Sequence, residues 1–185
     1  MIKNDSFIPQ RGDYEHLTVY QIAKCLYAIT YYFANTFFQK GDRTIDQMVQ
    51  AARSGKQNIA EASIDGNTSK EMELKLMNVA RGSMHELKAD YEDYLMNHKL
   101  EKWSRDDPRA TKTRAYCIAH KDAEDYQKAI EQRSDETIAN IAITMLHQYD
   151  VLMMRLIEAI KDRFLKEGGI KEEMYRARTE YRKNS

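Results

Sequence analysis

In a helical chain the first chemistry to look for is a di-iron site, which needs Glu-x-x-His on two helices and single Glu residues on the others. The only acid three positions before a histidine is Asp13 before His16, in the N-terminal approach, so that site is not expected. Cys117-Ile-Ala-His120 offers two ligands of the kind zinc takes, but no second pair accompanies it. Neither a glycine-rich phosphate loop nor a nucleophile elbow occurs, and no two carboxylates are spaced for acid-base work. His85, His98 and His147 read as surface or hydrogen-bonded residues of helices. The expectation is therefore a chain with no catalytic residue, no metal and no cofactor, and not an enzyme.

The residues left for chemistry are cations. Arg43, Arg53 and Arg81 fall on or beside the exposed faces of a predicted hairpin, and Arg176 and Arg178 lie in a basic tail. Guanidinium groups there would contact phosphates, with affinity falling as salt rises. Lys56 falls in the middle of an apolar stripe, where an ammonium needs a carboxylate or an escape to water. A turn centred near Gly66 sets it level with Leu76, one turn from Glu73, so a Lys56–Glu73 ion pair is predicted.

The elements that must carry these residues are helices. Residues 1–13 are polar, are broken by Pro9 and Gly12, and read as an arm. A first helix over about 14–39 sets Val19, Ile22, Ala23, Leu26, Thr30, Phe33 and Phe37 on one face. Tyr27, Tyr31, Tyr32 and Phe38 lie outside that seam, a surplus that suits either extra internal packing or a subunit interface. A second helix begins after Gly41 with Asp42 or Thr44 as its cap, and buries Ile45, Met48, Val49, Ala52, Ile59 and Ala60. In the middle of it, Ser54 and Gly55 would let a neighbour approach closely.

Asp65-Gly66-Asn67-Thr68 has turn chemistry, and Ser69 or Thr68 followed by Glu71 and Glu73 signals a new helix start. That third helix, about 69–98, has a seam of Met72, Leu76, Ala80, Ser83, Leu87, Tyr91 and Tyr94 and ends among Asp90, Glu92 and Asp93. Periodicity then degrades over about 99–135, a connector with one short helix near 120–131, expected to cross an end of the bundle or reach another subunit. A fourth helix, about 135–166, repeats Ile138, Ala142, Met145, Tyr149, Leu152, Leu156 and Ile160 until Gly168-Gly169 stops it. The tail, 167–185, is a short amphipathic helix with Ile170, Met174, Ala177 and Tyr181 on one face. The fold class is all-α, an antiparallel up-down four-helix bundle over 14–166.

Asn58-Ile-Ala-Glu61, Ser69-Lys70 and Ala80-Arg-Gly-Ser-Met-His-Glu-Leu87 resemble the four-helix-bundle proteins encoded within intervening sequences of bacterial 23S rRNA genes, long labelled ribosomal proteins. The accessory variability determinant of diversity-generating retroelements is a relative of that family. The resemblance runs over about 14–165 and is densest in the hairpin. It implies a four-helix bundle, a homopentamer, no known enzymatic activity and, as in the retroelement relative, binding of nucleic acid and reverse transcriptase through basic surface. Ala62 stands where that family usually has Gly, and the tail after Gly168-Gly169 looks like the suffix of a subgroup.

Composition sets outer bounds. Two Pro and seven Gly in 185 residues fit a mostly helical single domain. Equal numbers of basic and acidic residues, 29 each, leave no global field for nucleic acid, so binding would need a local patch or one multiplied by oligomer symmetry. The two cysteines form no CxxC pair and read as reduced thiols. With no signal-peptide core and no long apolar run, the chain is expected to be cytoplasmic and not a membrane protein. Two functions fit: an oligomer associated with RNA or DNA, or a structural adaptor oligomer binding another protein.

Overall fold

The computed structural model describes residues 14–66 and 69–183, and the side chains of all of these except 167, 170 and 173. The expected arm, residues 1–13, and the second half of the expected turn, residues 67–68, lie outside them. Regular structure among the described residues is helical, without a strand. After a 3-10 turn at Tyr14–His16 come α1 (Thr18–Phe37), α2 (Arg43–Asp65), α3 (Lys70–Asn97), α4 (Pro108–Ala119), α5 (Ala123–Ile130), α6 (Asp135–Glu167) and α7 (Ile170–Lys183).

The boundaries follow local chemistry. Gly41, at φ +93°, makes the bend before α2, and the Asp42 carboxylate then accepts from the Thr44 N–H at 2.8 Å. Ser69 caps α3, its hydroxyl accepting from the Met72 N–H at 3.2 Å. Ser134 does the same for α6 through the Thr137 N–H, at 3.3 Å. At the far end of α6, Gly168 takes φ +80° and its N–H closes on the Phe164 carbonyl at 2.9 Å. α3 stops without a glycine: Lys99 itself adopts φ +56°, and the Leu100 N–H reaches back to the Leu95 carbonyl at 2.9 Å.

Four long helices share the core. α1 packs on α2, α2 on α3, α3 on α6 and α6 on α1. Numbers rise along one helix as they fall along its neighbour: Ser54 meets Ser83 and Gly66 meets Glu73 between α2 and α3, while Arg81 meets Asp150 and Tyr94 meets Asp135 between α3 and α6. Their facing sides bury Leu26, Ile29, Phe33, Met48, Ile59, Met77, Met84, Leu87, Tyr91 and Tyr149 almost completely. Each such side chain contributes about 1.5–3 kcal/mol by leaving water. A buried polar contact between α1 and α3 is satisfied, the Tyr91 hydroxyl donating to Thr30 Oγ1 at 3.0 Å.

The seams differ from the sequence pattern in detail. Met72 is exposed, and α3 buries Met77, Ala80, Met84, Leu87 and Tyr91, a stripe that includes Glu73. In α6 the buried row drifts from Tyr149 to Met153 and Ile157 rather than Leu152 and Leu156. A 3.6-residue helix shifts about 20° per heptad against a strict seven-residue repeat, so a seam read in heptads slides by one position over this length.

The connector is more ordered than its sequence suggests. It holds two helices, α4 packing on α6 and α5 on α1, so it lies along the side of the long helices instead of crossing their end. Asn140 of α6, fully buried, pins its first part: the amide donates to the Glu101 and Glu136 carbonyls at 2.8 Å, and its oxygen accepts from the Trp103 N–H at 2.7 Å. Further on, the Tyr32 hydroxyl donates to the Glu131 carbonyl at 3.1 Å and the Cys25 thiol to the Lys121 carbonyl at 3.4 Å.

Candidate nucleic-acid interface

Arg43 and Arg53 are exposed on the outer side of α2, and neither makes a hydrogen bond or ion pair among the described residues. Ten helical positions separate them by about 15 Å along the axis and by about 80° around it. Gln47 and Gln50 are exposed between them, and Asp46 is the acid on the same stretch. The result is a solvated strip with two free guanidiniums and hydrogen-bonding amides.

Arg81 does not join that strip. It faces α6, where its Nε donates to Asp150 Oδ1 at 2.6 Å and its Nη2 to Oδ2 at 3.4 Å. The hydrogen bond to Asp150 raises its already high pKa. The sequence expectation of a phosphate-contacting Arg81 is thus corrected to an interhelical ion pair. Arg176 and Arg178 are exposed on α7, with Lys171, Arg182 and Lys183 on the same helix.

The predicted Lys56–Glu73 pair does not form. Lys56 sits over the Tyr27 ring of α1, its Nζ 4.6 Å from the centroid, a cation–π contact. Glu73, 7% exposed, is held by Lys70 at 3.3 Å and by Arg163 of α6, whose Nη2 lies 3.3 Å from both carboxylate oxygens. The difference lies in the register of the two helices. Gly55 lies against Met84 and Gly66 against Glu73, so pairing between α2 and α3 is centred near residue 69 rather than Gly66, which moves Lys56 level with Gly82. It is Gly55 that faces α3, and Lys56, 100° round the helix, turns to α1.

Asp150 organises a cluster that the sequence did not single out. Besides Arg81 it bonds His85, Nε2 to Oδ1 at 2.7 Å. Burial pushes the Asp150 carboxyl up, but the bonds from Arg81 and His85 outweigh it and hold the group below the usual range. Beside it, Lys88 of α3 and His147 and Tyr149 of α6 line a small notch. Burial and the Lys88 ammonium keep the His147 imidazole below its ordinary pKa. Arg81 and His85 stand four apart on α3, which puts them on one face, but nothing local in the sequence pairs them with Asp150 across 65 or more positions.

Elsewhere, a cleft of about 600 Å³ between α1 and the link from α4 to α5 mixes Glu15, Lys24, His120, Asp122 and Asp125 on its rim. Among the described residues no group of three or more His, Cys, Asp or Glu is placed to hold a metal ion, Cys117 and His120 included. No helix searched there is long and apolar enough to cross a membrane. Comparison with protein-family models, curated proteins and solved structures finds no match for this chain.

Proposed function

We propose that the chain is a non-enzymatic, self-associating helical protein that binds RNA or DNA phosphates modestly through the outer strip of α2, with the α7 arginines as a second contact. In this reading α1, α2, α3 and α6 make one antiparallel four-helix bundle, as in the intervening-sequence proteins it resembles, and copies assemble as a homopentamer in the cytoplasm. The observation that carries it is the pair Arg43 and Arg53, exposed and without an acidic partner while Arg81 and Arg163 are engaged by acids. Two cations per chain are a weak site alone, and repetition around a symmetric oligomer would make them a ring.

The test is binding of generic RNA and DNA as a function of salt. With two phosphate contacts per chain, the logarithm of the affinity falls with the logarithm of salt with a slope of about −1.8 for each engaged chain. Changing Arg43→Glu and Arg53→Glu together should weaken binding to all sequences alike and flatten that slope, with helix content unchanged. Arg81→Ala should leave binding as it was. No binding by the wild type at about 50 mM salt would reject the reading. The adaptor function is then favoured by Val151 and Met154, exposed one turn apart on α6 and suited to an apolar partner.

A further inference from the structure

Two surfaces of the chain are left without partners, and their spacings agree. The first is a groove of about 480 Å³ between α2 and α3. Ala51, Ser54 and Ser83 make a floor of small residues, and Glu86 and Asp90 stand on the α3 wall. Neither acid makes an ion pair among the described residues. Burial, together with Asp93 and Glu86, pushes the Asp90 carboxyl above its usual range, so the wall carries crowded negative charge. Toward the start of α3 the same face carries Val79 and Met72, both exposed. At 100° per residue Met72, Val79, Ser83, Glu86 and Asp90 fall within about 60° of one another and form one stripe.

The second surface is α7. The junction before it is fixed by two bonds, the Gly168 N–H to the Phe164 carbonyl and the Gly169 N–H to Glu172 Oε2, each at 2.9 Å. In that setting α7 packs extensively on no helix of its own chain. Met174 and Tyr181 are exposed and share a face with Arg178, and Arg182 lies at its edge. Arg178 and Arg182 make no hydrogen bond or ion pair among the described residues. They stand four apart, as Glu86 and Asp90 do, which is about 6 Å along either axis. With the two pairs in register and the helices running the same way, Met174 comes one turn before the arginines, level with Ser83 and the small floor. Arg176, about 160° round α7 from Met174, stays outside the contact.

We propose that α7 of one copy docks in the α2–α3 groove of the next, with Arg178 and Arg182 against Glu86 and Asp90 of the receiving copy and Met174 over the floor. This rests on the self-association proposed above and names its contact. Each copy gives one α7 and receives another, a head-to-tail arrangement that closes into a ring or runs on as a filament.

The experiment follows the mass of the full chain by light scattering across concentration at about 50 mM salt, where charges are weakly screened. The Arg178→Glu, Arg182→Glu chain and the Glu86→Lys, Asp90→Lys chain should each need about tenfold more protein to assemble, because like charges then face each other. A chain with all four changes should assemble like the wild type. An equal mixture of the two double variants should assemble as well, since each α7 then meets a groove of opposite sign. At concentrations where copies stay apart, a chain ending at Gly168 should keep the stability of the body and lose assembly alone.

Double variants that assemble like the wild type overturn the docking and leave self-association to another surface. A four-change chain that stays apart overturns it too. Recovery in the four-change chain but not in the mixture would put α7 in the groove of its own chain, which also overturns docking between copies. A monomeric wild type removes the self-association itself, and this contact with it. Should the lysine changes lower the helix content seen by circular dichroism, Glu86→Ala with Asp90→Ala takes their place. That chain should also assemble less readily, and unchanged assembly in it overturns the proposal.

Discussion

A methyl group built on Gly66 would lie 2.5 Å from Glu73 Cδ and 3.0 Å from the Ala62 carbonyl oxygen. Gly66 has ordinary helical backbone angles, so it is space and not conformation that requires glycine there. The carboxylate cannot retreat freely, because Lys70 and Arg163 hold it. Gly66→Ala is therefore expected to cost about 1–3 kcal/mol of stability, the usual range for overpacking. In a double-mutant cycle with Glu73→Ala the cost should be less than the sum of the two changes, measured by denaturant unfolding. Additivity would mean that the Ala62 carbonyl, and not Glu73, resists the methyl.

Cys25 offers a second test at this scale. It is buried against the Lys121 carbonyl, and burial, reinforced by the neighbouring Cys117, pushes its thiol from an ordinary 9.0 up to about 12. The thiolate is the reactive form, so alkylation of the native chain near pH 8 should be slow at Cys25 and rapid once denaturant is added. The sign of the pH dependence follows. The folded pKa lies above the unfolded one, so the contribution to stability is complete below pH 9 and is lost as pH rises from there toward 12, because the unfolded chain releases its proton first. Thermal unfolding followed from pH 8 upward checks it.

Among the elements, α7 stands apart. It is not packed extensively on any other helix, and Met174, Tyr175 and Tyr181 are more than half exposed. A 14-residue helix is marginal in water on its own. A chain ending at Gly168 keeps the N–H that closes α6 on Phe164. It should therefore unfold within about 2 °C of the full chain, as expected when the segment removed contributes under about 0.5 kcal/mol. A larger drop in Tm would mean that α7 stabilises the body in solution.

The long helices were legible at this scale because caps and apolar rows are local signals. Asp42, Ser69 and Gly168 each mark a boundary within a residue or two of where the helix changes. α4 was not legible. Its Pro108 reads as a breaker, yet proline at the first helical position lacks only an N–H that would have no partner there, and Asp107 caps it. The order of the connector depends on Asn140, a polar residue inside an apolar row, whose partners in the connector, Glu101 and Trp103, lie more than 35 positions away. Register between helices was misjudged for the same reason: a turn centre read from Gly66 alone misses by about three residues, and the ion pair of Glu73 goes to Lys70 and Arg163 instead of Lys56.

For the whole molecule the open quantity is self-association. Equal numbers of acidic and basic residues mean that net charge does not hold copies apart. The aromatic surplus of α1 is largely used within the chain: Phe38 packs on Tyr94, Tyr32 bonds the Glu131 carbonyl, and Tyr27 carries Lys56. Tyr31 alone of that group stays exposed, at 56%. In the proposed assembly the acidic end of α3 would be the better contact. Burial, together with Asp93 and Glu86, pushes the Asp90 carboxyl above its usual range, a crowding of like charges that cations of a second copy would relieve.

Light scattering at micromolar concentration and low salt should then give a mass five times the 21.7 kDa chain. An assembly held by partly exposed charges, as this contact would be, should lose mass as salt rises past the point where the screening length is about 10 Å, near 0.1 M. Changing Asp90→Asn with Asp93→Asn should weaken assembly and remove most of that salt dependence, while Tyr31→Glu leaves the mass unchanged. Dissociation by Tyr31→Glu alone would return the contact to α1. A monomer under all these conditions would remove the ring of repeated Arg43 and Arg53 on which the proposed nucleic-acid affinity depends, leaving two guanidiniums per chain and a binding constant too weak to matter at ordinary salt.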